Sequence, residues 1–236
     1  METSLLSRLQ EEKASRLKGG LYHHTQIKLA YNSNRIEGSA LSEEQTRYIF
    51  ETNTLNVNPN ESVNVYDIIE TVNHFSCFDF MLDTAEDDLS EEMINEFLRL
   101  LKTGILDSRK EWFNDDNKTR PNTAGGAETS PTAEASGAMN ALLDSYYKTE
   151  PVDFAAIVDF HYRFEKIHPF HDGNGRVGRI ILFKECLKHG LVPFIIEDEL
   201  KANYYQGLKE FEKTPNFLIE TCLSAQKKYK EILQNF

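Results

Sequence analysis

Long apolar runs, paired cysteines and an excess of basic residues are all missing from this chain. No apolar stretch approaches the roughly 20 residues of a membrane-spanning helix, so we expect no membrane partner. Lys and Arg number 26 against 38 Asp and Glu, which gives a net charge of −12. Because an acidic surface repels phosphate backbones, this charge disfavours nucleic acid as a partner.

The three cysteines are Cys77, Cys186 and Cys222, and no two of them form a CxxC pair. A scattered, odd-numbered set is typical of reduced thiols in a cytosolic protein. The first residues, Met1 to Arg8, lack the basic start and apolar run of a signal peptide. We therefore expect a cytoplasmic location.

Most apolar residues recur with helical spacing, and convincing strands are almost absent, so the predicted fold class is all-α. Helices are predicted around Val65–Phe75, after a Ser90 cap, after a start near Thr149 and Pro151, and from about Leu200 to Phe211. A further helix begins near Asn174 and is apolar on every side, which predicts a central buried helix, and the last follows Thr214-Pro215. Two polar connections, 53–62 and 114–137, interrupt the pattern, and loops of such length are often functional.

The segment 168–179, with the sequence HPFHDGNGRVGR, carries the densest chemistry. Its glycines match GxGxxG, the dinucleotide-binding fingerprint, but that fingerprint must follow a buried parallel strand. Pro169 lacks a ladder donor and rules such a strand out, and no GxxxxGK[ST] segment exists to form a P-loop.

A glycine-rich loop leading into a helix remains, and a helix N-terminus binds phosphate through its N–H groups and its dipole. Gly173 and Gly175 let the backbone approach an anion, and Arg176 and Arg179 lie at i and i+3 on one face. Two guanidiniums suit a polyphosphate tail.

Two more residues of the same segment complete the chemistry. Asp172 supplies an oxygen ligand for Mg²⁺, and His168 is suited to act as a general base. A zinc site of His161, His168 and His171 is the alternative interpretation, but the spacing is not HExxH. The segment therefore predicts a Mg²⁺-assisted polyphosphate site.

The segment also resembles the motif HPFx(D/E)GNGRxxR of the Fic family at every position from His168 to Arg179. That resemblance implies a Fic-like helical bundle and a protein adenylyltransferase that moves AMP from ATP to a Ser, Thr or Tyr hydroxyl. The target is a protein, or the chain itself. His168 would be the base and Asp172 the Mg²⁺ ligand.

The resemblance also assigns the phosphate contacts. Asn174 and the neighbouring amides would hold the α-phosphate, and Arg176 and Arg179 would hold the β- and γ-phosphates. Relatives commonly form dimers, so a homodimer is one oligomeric state that the resemblance allows.

A second segment, Ser33 to Gly38, resembles the inhibitory motif (S/T)xxxE(G/N) of the same family. Ser33 and Glu37 share a helical face, and the resemblance implies that Glu37 pairs with Arg179 and suppresses activity. The alternative is an ordinary solvated glutamate. In some relatives this glutamate is implicated in removing AMP, so de-adenylylation is also open, as is a nucleotide-sensing module with little turnover.

Three further assignments come from the resemblance. A small β-hairpin flap over the site is expected near 118–129, where Thr123, Ala124 and Gly125 would align a target segment. Tyr204 and Tyr205 resemble an adenosine-contacting pair, although helix packing would equally explain them. We expect N-terminal helices with the inhibitory motif over 1–60 and a catalytic core over 61–236.

Overall fold

The computed structural model describes residues 4–105, 123–124, 127–128 and 135–236, and the regular secondary structure of these residues is almost entirely helical. The helices are α1 Leu5–Ser15, α2 Leu21–Ile36, α3 Glu43–Thr52, α4 Val65–Asp83, α5 Glu91–Lys102, α6 Ala135–Tyr146, α7 Phe154–Ile167, α8 Asn174–Lys188, α9 Lys201–Glu210 and α10 Pro215–Leu233. A short 3₁₀ helix, Asp198–Leu200, precedes α9. The all-α prediction is confirmed.

Side-chain caps account for where several helices begin. Ser90 accepts a hydrogen bond from the Met93 N–H at 3.2 Å and begins α5, as its sequence predicted. The start predicted near Thr149 and Pro151 is displaced to Phe154, because the Asp153 carboxylate accepts the Ala156 N–H at 2.8 Å. The prediction overlooked this aspartate, although Asp is as good a cap as Ser.

Helix α8 lies at the centre of the bundle and packs against α7, α2, α4 and α5. Its residues from Arg176 to Leu187 are buried, so the prediction of a central buried helix is confirmed. One apolar cluster joins Leu9 and Leu21 of the first helices to Phe78 of α4 and Phe183 of α8. The expected division at residue 60 stays a prediction.

Two very short strands, β1 Thr123–Ala124 and β2 Ala127–Glu128, pair antiparallel, with Ala124 opposite Ala127. They fall within the range predicted for the flap, but Gly125 and most of that range lie outside the described residues. Whether this pair covers the site stays a prediction. Among the helices that the structure describes, none is long and apolar enough to cross a membrane.

Candidate functional site

The predicted site lies in the loop between α7 and α8. His168 ends α7 in the left-handed conformation, with φ at 52°, and its N–H donates to the Phe164 carbonyl at 2.9 Å. The Asn174 amide holds the loop from inside, because it accepts the Phe170 N–H at 3.0 Å and donates to the Phe170 carbonyl at 2.8 Å. The buried Asn174 side chain thus shapes the turn that leads into α8.

Gly173 begins α8 as its N-cap with φ at +89°, a conformation that favours glycine, and it brings no capping side chain to the helix. The first N–H groups of an α-helix have no partner inside the helix, so they point outward at this end together with the positive end of the dipole. Gly175 lies in this first turn. A Cβ there would stand 2.3 Å from Glu37 Oε1, so the Glu37 carboxylate rests directly on the start of α8.

Glu37 is held there by Arg179. Arg179 Nη2 donates to Glu37 Oε1 at 2.7 Å and to the Ser33 carbonyl at 3.0 Å, and Nε donates to Ser33 Oγ at 3.0 Å. Glu37 is the C-cap of α2, and Gly38 follows it with φ at +103°. The structure therefore brings Ser33, Glu37 and Arg179 together, across 142 residues between Glu37 and Arg179.

The charges of this pair stabilise one another. Burial acts to raise the pKa of Glu37, but the Arg179 guanidinium outweighs burial and brings that pKa below its ordinary value. Burial likewise acts against the charge of Arg179, and Glu37 raises its pKa. Glu37 is thus an anion in contact with the phosphate-type site that the sequence predicted.

On the other side of the loop, Asp172 presents a carboxylate whose side chain is 60% exposed. Its Oδ1 accepts the Gly173 N–H at 2.6 Å and lies 3.3 Å from Arg176 Nη2, and its Oδ2 contacts Lys102 Nζ. Burial acts to raise the pKa of Asp172, but Lys102 and Arg176 lower it overall. An ionised, exposed carboxylate is a suitable ligand for Mg²⁺, which takes one or two protein carboxylates and fills its shell with phosphate and water.

Arg176 is almost fully buried, at 2% exposure, and its Nη1 lies 2.6 Å from Glu70 Oε1 of α4. The same Glu70 oxygen accepts from Lys102 Nζ at 3.0 Å. Burial acts to lower the pKa of Arg176, and Glu70 and Asp172 raise it overall. Arg176 is therefore fixed between two carboxylates.

A buried cluster of polar side chains adjoins Arg179. His161 Nε2 and the Tyr204 hydroxyl share a hydrogen bond of 2.7 Å, and burial lowers the pKa of His161 to about 3. Glu165 adjoins them, and burial raises its pKa to about 8. A Cβ on Gly178 would stand 2.5 Å from Glu165 and 2.8 Å from His161, so a glycine is needed where α7 meets α8.

The tyrosine pair divides between core and surface. Tyr204 is 1% exposed and bonded to His161, which is the packing role that the sequence left open, whereas Tyr205 is partly exposed beside it. Their contact with adenosine stays a prediction. For the predicted flap residues Thr123 and Ala124 the structure gives the backbone pairing alone, and Gly125 lies outside the described part of the chain.

The sequence interpretation missed Glu70, Lys102, Glu165 and the need for Gly178. Glu70 lies on α4, 32 residues before its partner Lys102. Lys102 lies on α5, 70 residues before its partner Asp172. No local motif marks either residue. A signal for Glu165 was present. His161 and Glu165 are polar residues at i and i+4 just before the motif, where an amphipathic helix would bury apolar side chains.

Comparisons with known proteins give matches over the part of the chain that holds this site. Residues 88–185 match the model of the Fic/DOC family. Protein adenylyltransferase Fic of Nematostella vectensis is 26% identical over 196 residues, which are 76% of this chain and 42% of that protein. The protein of the same name from Drosophila willistoni is 39% identical over 69 residues, or 28% of this chain and 14% of that protein.

Solved structures share the fold. A Fic domain containing signaling protein from Bacteroides thetaiotaomicron superposes with a TM-score of 0.73 at 23% identity, over 94% of this chain and 91% of that one. A Fic family protein from Desulfovibrio desulfuricans G20 gives a TM-score of 0.71 at 22% identity, over 98% of this chain and 73% of that one.

The described bundle thus shares the fold of solved Fic proteins, and residues 88–185, which hold the loop-to-helix site, match the Fic/DOC family. The chain spans less than half the length of the two curated relatives above.

Proposed function

We propose that this chain is a protein adenylyltransferase that transfers AMP from ATP to a hydroxyl of a target protein or of itself, and that Glu37 restrains it. The observation that carries the proposal is the Glu37 carboxylate, which rests against Gly175 at the start of α8 and 2.7 Å from Arg179. An anion is held where a helix N-terminus, two arginines and an exposed aspartate converge. That combination is suited to a triphosphate.

In the proposed reaction His168 accepts the proton of a Ser, Thr or Tyr hydroxyl. The hydroxyl oxygen forms a bond to the α-phosphorus, the bond from that phosphorus to the oxygen bridging to the β-phosphorus breaks, and pyrophosphate leaves. The N–H groups at the start of α8 stabilise the charge that grows on the α-phosphate, and Asn174 maintains the turn that presents them. Asp172 would hold Mg²⁺, which when bound neutralises part of the phosphate charge.

The two arginines have different tasks in this proposal. Arg176 is fixed by Glu70, so it is a preset partner for the β-phosphate. Arg179 would hold the γ-phosphate, but in this structure its Nη2 is bonded to Glu37 and to the Ser33 carbonyl. ATP in its productive position would therefore have to displace the Glu37 carboxylate.

Incubation with α-labelled ATP and Mg²⁺ tests both parts of the proposal. We expect weak labelling by the wild type, labelling increased about tenfold or more by Glu37→Gly and by Glu37→Gln, and none by a Glu37→Gly/His168→Ala double variant. The tenfold estimate corresponds to about 1.4 kcal/mol, close to the lower limit of about 1.5 kcal/mol for a charged hydrogen bond.

A parallel incubation with γ-labelled ATP is the control for phosphoryl transfer and should give no label. Equal labelling by the wild type and both Glu37 variants would reject the restraint. Labelling that survives His168→Ala would reject the assigned base.

Removal of AMP is a second candidate, and the position of Glu37 favours it. Arg179 keeps Glu37 ionised beside the α8 N-terminus, where a carboxylate can accept a proton from an attacking water. Wild-type protein added to the self-modified Glu37→Gly variant would then release AMP, and a Glu37→Gln protein would not. If neither transfer nor release occurs while ATP binds tightly, the chain is a nucleotide-sensing module instead.

A further inference from the structure

Lys102 is the last residue of α5, and with Lys184 it is one of the two lysines that are buried in the described part of the chain; its side chain is 6% exposed. Its ammonium reaches the active-site loop, where it contacts Asp172 Oδ2, and it also donates to Glu70 Oε1 at 3.0 Å. A buried ammonium needs paired carboxylates, because an uncompensated charge is unfavourable in the protein interior. Lys102 thus joins α4, α5 and the site loop.

Among the described residues, four charged side chains meet in this cluster: Glu70, Lys102, Asp172 and Arg176. Glu70 bridges the two cations, at 2.6 Å from Arg176 and 3.0 Å from Lys102, and Asp172 contacts the same two cations from the loop. A divalent cation added at Asp172 would bring two more positive charges beside Lys102 and Arg176.

The two oxygens of Asp172 are not equivalent. Oδ1 accepts the Gly173 N–H at 2.6 Å, whereas Arg176 Nη2 lies at a similar distance from both oxygens, 3.3 Å from Oδ1 and 3.4 Å from Oδ2. The backbone contact at Oδ1 leaves Oδ2 as the oxygen better placed to take a metal. Lys102 Nζ contacts this oxygen. The ammonium therefore lies where a cation bound to Asp172 would lie.

We propose that Lys102 competes with the divalent metal for Asp172 and that Glu70 sets how strongly it does so. When a metal binds, Lys102 keeps Glu70 as its partner and stays buried beside the phosphate site. Lys102 and Glu70 are thus positioning residues that tune the metal dependence of the site. The part of this inference that concerns nucleotide rests on the proposed function, whereas the competition for Asp172 does not.

Binding of Mn²⁺ to the nucleotide-free protein, followed by electron paramagnetic resonance, tests the competition directly. We expect Lys102→Gln to tighten Mn²⁺ binding three- to tenfold, because one repelling charge a few ångströms away is removed. Glu70→Gln should weaken Mn²⁺ binding, because Lys102 and Arg176 then have one fewer carboxylate between them. Lys102→Arg keeps the charge and should remain within twofold of the wild type.

Lys188→Gln is the matched control. Lys188 lies at the end of α8 that is far from the site loop, where it pairs with Asp88, so its replacement should not alter Mn²⁺ binding. Competition predicts tighter Mn²⁺ binding in Lys102→Gln and weaker binding in Glu70→Gln. A purely structural role of the two residues would weaken Mn²⁺ binding in both variants. Unchanged or weaker Mn²⁺ binding in Lys102→Gln overturns the proposal. If that variant does not fold, the Glu70→Gln result decides: tighter or unchanged Mn²⁺ binding overturns it.

A second measurement separates this inference from the proposed function. Calorimetry of ATP binding at a series of Mg²⁺ concentrations should show a lower half-saturating Mg²⁺ for Lys102→Gln than for the wild type. If no variant binds ATP at any Mg²⁺ concentration, the proposed function fails, and the Mn²⁺ result still decides the role of Lys102.

Discussion

Glu165 is a single side chain whose environment sets a measurable property of the whole fold. It is 6% exposed, and it lies near His161, Arg179, Glu37 and Tyr204. Burial raises its pKa to about 8, whereas Arg179 acts in the opposite direction and is outweighed. At neutral pH the folded protein therefore keeps a proton on Glu165 that the unfolded chain releases.

The contribution of Glu165 to the free energy of unfolding should fall as pH rises from about 5 to about 8, because in that window the unfolded chain binds fewer protons at Glu165 than the folded protein does. The lowered pKa values of the buried His74 and His161 act in the opposite direction up to the ordinary histidine value of 6.5, so the effect of Glu165 is read above that pH. Glu165→Gln removes its contribution, so we expect a flatter pH profile between about 6.5 and 8 and a gain of about 1–3 kcal/mol at pH 7. Urea unfolding at several pH values measures both. Glu220→Gln on the exposed surface is the control, and an equally steep profile in Glu165→Gln would contradict the assignment.

Local patterns identified some of the site residues and missed others for a clear reason. His168, Asp172, Arg176 and Arg179 lie within twelve consecutive residues, so one motif exposes them together. Lys102 and Glu70 meet that motif only through the packing of α4 and α5 on α8. Glu37 lies 142 residues from Arg179 in sequence, and the family resemblance alone linked the two.

At the scale of helices, α7 and α8 approach each other closely through Gly178. A Cβ at this position would overlap Glu165 and His161 at 2.5 and 2.8 Å. These two side chains are buried and cannot move into solvent. The family motif leaves two positions between Arg176 and Arg179 variable. In this chain the choice of residue at the second of them, Gly178, is therefore restricted.

Gly178→Ala should destabilise the fold by about 1–3 kcal/mol, the usual cost of overpacking a core. Gly137 in α6 is a matched control, because it is an exposed helical glycine with open space around its Cβ position. Gly137→Ala should stabilise the protein by up to about 1 kcal/mol through helix propensity alone. Thermal unfolding of both variants measures the contrast, and similar shifts would show that Gly178 has room for a methyl group.

Helix positions were predicted well where periodicity and caps agreed. The Ser90 cap and the Pro215 start were correct, because each satisfies a known requirement of a helix N-terminus. The start of α7 was misplaced because a proline and a threonine were preferred to the neighbouring Asp153. Periodicity gave no information about which helix packs against which, since an apolar face does not name its partner.

At the scale of the whole molecule, the Glu37–Arg179 ion pair joins the end of α2 to α8, so the state of this helix end and the state of the site are coupled. A ligand that must displace Glu37 loses that ion pair on binding. Binding of such a ligand therefore stabilises the fold by less, and the difference equals the free energy of the lost ion pair.

Mg-ATP should therefore raise the Tm of Glu37→Gly by several degrees and that of the wild type by less. His168→Ala in the Glu37→Gly background should keep the larger shift, because the proposed base acts in the reaction and not in holding phosphate. Differential scanning fluorimetry at a series of ATP concentrations gives both values. Equal shifts in the wild type and Glu37→Gly would mean that Glu37 does not exclude nucleotide.

Glu37 is the C-cap that follows α2, and Gly38 comes directly after it with a positive φ, while Leu29 and Ala30 about two turns earlier are anchored in the interior. Withdrawal of the carboxylate then requires a rearrangement of the cap itself, because Ser33 and Ile36 just before it are buried. The body of α2 can stay docked throughout. Whatever loosens or clamps those final residues would govern access to the nucleotide without rearranging the bundle.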